Sequence, residues 1–421
     1  MFKKTVLDGG LRIITVPLKE TAAVTILVLV GAGSKYETLK ENGISHFIEH
    51  MLGKGTKKRP DQLKIGESID KIGGRFNFGT SKEDVIYWVK VRAEYFEQAL
   101  DWISDILLHS KFEEKEIEKE KNIVLQELKM YLDEPSTYVW TLWEKLLYGN
   151  QPAGRLISGQ ERNIKNFKRE QILDYLNKHY SCKNTIICVS GKIDQKIVET
   201  KIRKYFKNLR RIKPKEKLKA KEIQKRPKVL SYFKETDQTH LCIGVRTFSF
   251  FHPSVYAQEI LATILGGNVS SRLFNLIRTR KGLAYYISTS SDTYTDTGYL
   301  VTGAGTAHEN VEKAISLILK EYNKLKIKKV SSSELQRAKD FLKGNLSLSL
   351  ESSDDYAAFY GSQELFKNKI LKPEQIFAKI DKVSKEEILN LAKRIFTPKR
   401  LNLALIGPFK DKTKFKNLLK I

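Results

Sequence analysis

The sequence predicts an α+β protein made of two homologous α/β-roll halves. Each half is expected to be a mainly antiparallel sheet with helices packed on one side. Three observations predict this. The chain of 421 residues exceeds one ordinary core, and two domains of about 200 residues each suit that length. Its 41% hydrophobic and 10% aromatic content is that of a globular protein. The third observation is internal. KREQILDYLNKHYSCKNTIICVSGKI (168–193) and SKEEILNLAKRIFTPKRLNLALIGPF (384–409) run in step at one constant offset. Ile172 pairs with Ile388, Leu173 with Leu389, Tyr180 with Phe396, Lys183 with Lys399 and Gly191 with Gly407. An offset near half the chain length points to duplication and not to a short-period repeat.

The elements follow in order. MFKKTVLDGGLRIITV alternates as strands do, and TAAVTILVLVGAGS reads as a further strand. GISHFIEHML reads as a helix, and GRFNFGTSKED as an exposed-looking strand leading into another, DVIYWVKVRA. Two long amphipathic helices come next, AEYFEQALDWISDILL and EEKEIEKEKNIVLQELKMYL; the helix, break and Gly-ended strand of 168–193 close the half. The second half repeats the plan with THLCIGVRTFS, SVYAQEILATIL, TGYLVTGAG, VEKAISLILKEYNKL, SSELQRAKDFLKGNLSLSL and the closing pair of 384–409. Strands with several helices on one side make an α+β sandwich. The expected division is 1–210 for the first half and 229–421 for the second. The basic, Pro-containing stretch 211–228 between them reads as a flexible, solvated linker.

Composition narrows the function classes. Much of the net charge of +26 lies in 201–228 and reads as a lysine-rich solvated surface. Such charge predicts weak, salt-sensitive, sequence-blind attraction to nucleic acid. There is no RNP-like sequence, zinc-finger spacing or basic helix with interleaved aromatics, so no specific nucleic-acid partner is expected. Cys182, Cys188 and Cys242 include no CxxC pair, which excludes a cysteine-built zinc site and predicts reduced thiols. No apolar leader with a cleavage site and no run of about 18 apolar residues is present, so no membrane span is expected. The expected location is the cytoplasm, or an organellar matrix if a transit peptide has been removed.

The chemistry concentrates in GISHFIEHMLGKGTKKR (43–59). His46 and His50 are two of only seven histidines, and on a helix their four-residue spacing puts both imidazoles on one face. That geometry suits two ligands of one zinc ion. Glu49 lies on the same face, angled past the metal, where a carboxylate can act as general base toward water. Zinc hydrolases usually use three protein ligands. The third is sought in the acidic helix 113–132, where Glu127 borders the apolar stripe of Ile123, Val124 and Leu128. Glu120 lies two turns earlier on the same side. One of these two ligates and the other orients a histidine from behind; the residue pattern alone does not say which.

HFIEH with MLGKGTKKR, SKYE, FNFGTSKEDVIYWVKV and the distant Glu127 resembles the inverted zincins, the family of pitrilysin, insulysin and mitochondrial processing peptidase. The resemblance covers nearly the whole chain, is nearest to the short, two-domain members, and implies that the two halves are arranged as a clam-shell. It implies one Zn2+ per chain held by His46, His50 and Glu127, with Glu120 as a supporting carboxylate and Glu49 as the base. It also implies that the segment Phe76, Asn77, Phe78, Gly79 and Thr80 binds an extended peptide substrate by strand addition, with Asn77 on the substrate backbone. LGGNVSSRLFNLIRTRKGLAYYISTSS (265–291) resembles the signature of the family's zinc-free half. Arg278 and Tyr285 match its Arg/Tyr pair, two donors suited to a developing oxyanion; Arg272 is a structural candidate instead. Gly282 is expected to end the helix between the pair. The second half has no HxxEH, and Asn345 falls opposite Glu127, so that half is not expected to bind zinc. The implied activity is a zinc metalloendopeptidase acting on unfolded peptides or short polypeptides. Its implied assembly is a homodimer or a heterodimer with a related subunit. The alternatives are the catalytic subunit of a presequence-processing complex and a non-catalytic structural relative.

Overall fold

A computed structural model describes residues 2–421. It contains two sheets. The first has six strands: β1 (Lys3–Val6), β2 (Arg12–Pro17), β3 (Ala23–Val30), β4 (Arg75–Thr80), β5 (Val85–Arg92) and β6 (Thr185–Gly191), in the spatial order β1-β2-β6-β3-β5-β4. The second has five: β7 (Lys228–Phe233), β8 (Thr239–Thr247), β9 (Ala284–Thr293), β10 (Gly298–Thr306) and β11 (Leu401–Gly407), in the order β7-β11-β8-β10-β9.

The duplication read from the sequence recurs strand by strand. β2 runs parallel to β6 as β7 does to β11. The pairs β3–β6, β3–β5 and β4–β5 are antiparallel, as are β8–β11, β8–β10 and β9–β10. β1 alone has no counterpart in the second sheet. β4 and β9 are equivalent edge strands.

The chain forms two compact units. One comprises Met1–Lys129, Leu156–Leu218 and Leu348–Leu371; the other comprises Met130–Arg155, Lys219–Ser347 and Lys372–Ile421. Each contiguous half thus supplies one sheet, and in addition lends a helix to the other unit. Helix Ser353–Lys367 packs on β3, β6 and β2, where Ala357 and Tyr360 meet Ile14, Val16, Leu27, Leu29, Ile186 and Cys188. Helix Pro135–Tyr148 packs on β11, β8 and β7, where Val139, Leu142 and Trp143 meet Cys242, Val301, Ala404 and Ile406. The other face of the second sheet holds the larger core, with Leu241, Ile243, Val245, Leu403 and Leu405 under helices Val255–Gly266, Val311–Ile327 and Lys385–Ile395. Covering on both faces explains why β10 and β11 are buried along their whole length.

Parts of the stretch 211–228, expected to be a flexible linker, make hydrogen bonds and an ion pair within the two units. In the first unit Lys215 N–H donates to Lys178 O at 3.2 Å, and Lys217 Nζ lies 3.1 Å from the buried Glu83 carboxylate. In the second unit Ala220 N–H donates to Asp296 Oδ2 at 2.8 Å, and Lys221 N–H to Gln151 Oε1 at 2.6 Å. Lysine-rich sequence here is pinned by backbone hydrogen bonds that composition does not display. Cys182, Cys188 and Cys242 are buried and unbridged. Among the described residues no helix is long and apolar enough to cross a membrane.

Candidate metal centre

The HFIEH segment lies on helix Ile44–Leu52. Gly43 precedes it with φ 101°, and a Cβ there would come within 2.8 Å of the Ser158 and Gly159 backbone, so glycine is required. The buried Glu37 carboxylate accepts from the N–H groups of Gly43 at 2.8 Å and Ser45 at 2.9 Å, and from Asn42 Nδ2 at 2.9 Å. A helix start carries unpaired N–H groups and partial positive charge, and a carboxylate satisfies both. Burial pushes the Glu37 pKa up, and these three donors pull against it. The helix is thereby anchored at its first turn, with Ile44, Phe47, Ile48, Met51 and Leu52 buried beneath it.

His46 and His50 stand with ring centres 4.6 Å apart. Helix Glu114–Asp133 brings Glu127 against both: His46 Nε2 is 3.6 Å from Glu127 Oε1, and His50 Nε2 is 3.2 Å from Glu127 Oε2. Glu120 lies on the opposite side of the His50 ring, where Nδ1–H donates to its Oε1 at 2.8 Å. The geometry thus separates the two carboxylates that spacing alone left open. Lys54 Nζ reaches the other Glu120 oxygen at 2.7 Å. Burial works against protonation of His50, but Glu120 and Glu127 outweigh it and hold its pKa up at about 9. The hydrogen bonds of His46 and His50 hold the Glu127 pKa far below the ordinary carboxylate range, against the effect of burial.

These groups fit a zinc ion by their donor set and spacing. Two imidazole nitrogens and a carboxylate are a usual zinc triad, and a tetrahedron with arms of about 2.0–2.1 Å spaces its ligand atoms about 3.3 Å apart. The three side chains offer one ligand atom each within 4.8 Å of one another, and no other such group occurs among the described residues. The tethering of His50 Nδ1 to a carboxylate is the usual way of orienting a metal-binding imidazole. His46 Nδ1 is buried and makes no hydrogen bond among the described residues.

Glu49 is half-buried on the same helix, and Thr80 Oγ1 donates to its Oε2 at 2.6 Å. Its charge is felt by the buried hydroxyl pair Tyr87 and Tyr180, whose pKa values burial already drives up. Phe76 to Thr80 lie on edge strand β4. The Phe76 and Phe78 rings pack on Trp102 at 4.9 and 6.1 Å. Asn77 is exposed, its Oδ1 accepting the Phe78 N–H at 2.9 Å.

Arg278 and Tyr285 belong to the other unit. Arg278 sits on a π-helical segment, Phe274–Arg280, that gives way at Gly282 with φ 60°. Its guanidinium lies 6.0 Å from the Tyr285 ring centre and 4.9 Å from that of Phe274. Tyr285 projects from β9 with 75% exposure. The structure therefore brings this pair together at the surface of its own unit. Arg272 makes a two-pronged ion pair with Glu334 at 2.6 and 2.7 Å, as befits a structural residue.

Sequence reasoning missed Glu37 and Lys54, and gave Thr80 no link to Glu49. Lys54 was open to detection at four residues beyond His50. Glu37 sits in a loop with no periodic signal.

Residues 12–161 match the family model of insulinase (peptidase family M16), and residues 166–342 that of the peptidase M16 inactive domain. A protein named uncharacterized zinc protease YmxG, from Bacillus subtilis, is 36% identical over 411 residues, covering 97% of this chain and 98% of its own. An uncharacterized zinc protease of Rickettsia felis is 33% identical over 413 residues, covering 97% and 98%. Among solved structures, a protease from Helicobacter pylori superposes with a TM-score of 0.90 at 22% identity, covering 97% of this chain and 99% of that one. A chain of complex III2 from Candida albicans superposes at 0.84 with 19% identity, covering 100% of both.

Proposed function

Because the chain belongs to peptidase family M16, we propose that it is a zinc metalloendopeptidase that hydrolyses unfolded peptides or short polypeptides bound in extended form. The observation that carries this reading is the convergence of His46, His50 and Glu127 beside Glu49. His46, His50 and Glu127 would hold the ion, and Glu120 would orient His50. When bound, Zn2+ supplies Lewis acidity to water and to the scissile carbonyl. Glu49 takes the proton of the attacking water and returns it to the leaving amine. Edge strand β4 offers backbone groups from Phe76 to Thr80 to an added substrate strand, with Asn77 at its exposed side. Arg278 and Tyr285 are assigned to the carbonyl oxygen on sequence resemblance, and their mutual proximity is compatible with a shared role. Pairing with a second copy or a related subunit is proposed on the same resemblance; sedimentation of the purified chain tests it.

The decisive experiment measures metal content and digestion of a peptide library for wild type and Glu49→Gln, with and without chelator. The expected result is about one zinc per chain in both, and cleavage by wild type alone, lost on chelation. Cleavage by a metal-free chain indifferent to chelators would overturn the reading.

A further inference from the structure

We propose that Thr80 is the positioning residue of the general base. Its hydroxyl commits one oxygen of Glu49 and leaves the other for the proton of the attacking water. This rests on the reading of Glu49 as the base. The Thr80 Oγ1–H donates to Glu49 Oε2 at 2.6 Å, while Oε1 accepts no hydrogen bond among the described residues. A glutamate on a helix face has three side-chain torsions to fix, and one short hydrogen bond from a rigid donor removes most of that freedom. The donor is rigid for three reasons. Thr is β-branched and stiff at χ1. Thr80 is the last residue of β4, paired with Val85 of β5, and the turn beyond is closed by Ser81 N–H donating to Asp84 O at 2.8 Å. Finally, Phe76, Phe78 and Thr80 share one face of β4, and the two aromatic rings anchor that face on Trp102.

The chemistry balances without further partners. The water oxygen bonds to the carbonyl carbon as its proton passes to Glu49 Oε1 and the C=O π pair moves onto the carbonyl oxygen. That pair then re-forms C=O as the C–N bond breaks and the proton on Glu49 moves to the leaving nitrogen. Thr80 keeps its own proton throughout. Because β4 is also the strand assigned to substrate, the residue that ends the substrate ladder also sets the angle of the base.

The test compares Thr80→Val, which keeps the shape and removes the hydroxyl, with Thr80→Ser, which keeps the hydroxyl. Thr80→Val should lose about 10- to 100-fold in kcat, the worth of a hydrogen bond to a charged group. KM should stay within about twofold and zinc content should be unchanged. Thr80→Ser should recover most of the loss. If Thr80→Val proves unstable, Thr80→Ala is read by the same criteria. Wild-type kcat in the hydroxyl-free variant, or a Thr80→Ser variant as slow as Thr80→Val, would overturn the proposal. Adding Thr80→Val to Glu49→Gln should slow the residual rate no further; an additive loss would show that Thr80 acts elsewhere. Full turnover by Glu49→Gln alone would instead remove the base assignment on which the proposal stands.

Discussion

At the residue scale, Glu127 and Glu120 carry the same charge one helix apart from His50, yet they serve opposite sides of its ring. Glu127 meets both Nε2 atoms, and Glu120 holds Nδ1. Different losses follow. Glu127→Ala should purify without bound zinc, because a triad reduced to two imidazoles loses its anionic ligand. Glu120→Ala should retain zinc with affinity lowered about 10- to 100-fold, the usual cost of removing an orienting partner. Competition with a chromogenic chelator separates the two, and tight zinc binding by Glu127→Ala would exchange their roles. HxxEH was legible because helical geometry converts spacing directly into a shared face. The residue pattern alone did not choose between the two glutamates, since both border the same stripe; the family resemblance assigned Glu127, and the packing of helix Glu114–Asp133 puts Glu127 near Nε2. Lys54 shows the same limit, since a lysine in a basic run looks solvated until a buried carboxylate is found 2.7 Å from its Nζ.

At the scale of elements, periodicity and length identified most strands and helices, because apolar runs and 3.6-residue stripes are local properties. The partner of an element is not local. Helices Pro135–Tyr148 and Ser353–Lys367 are ordinary amphipathic segments whose sequences do not state which sheet they cover. Their fit does leave a mark at glycines. A Cβ at Gly361 would come within 2.7 Å of Leu29 Cδ1 and 3.3 Å of Cys188 Cβ, so this helix lies directly on β3 and β6 at that point. Gly303 of β10 plays the matching part beneath Trp140, where a Cβ would come within 2.7 Å of the ring. Gly361→Val should therefore destabilise the fold by about 1–3 kcal/mol through overpacking, despite removing a helix-weakening glycine. Urea unfolding measures it; an unchanged or raised midpoint would mean that the helix has room to lift.

At the scale of the whole molecule, the repeated sheet topology and the family membership agree with the duplication read from 168–193 and 384–409. Composition says nothing of the backbone hydrogen bonds made in the stretch between the halves. Each compact unit contains segments from both sides of that stretch. A protease cut within 211–228 should therefore leave both pieces co-eluting as one folded particle, resolved only in denaturant; their separation on native gel filtration would count against the exchange. The lent helices also bear on how such a gene can change. Truncation, or swapping one half for a foreign one, would strip an apolar sheet face of its cover, so the two ancestral copies can diverge in sequence but each must keep the helix that the other's sheet needs.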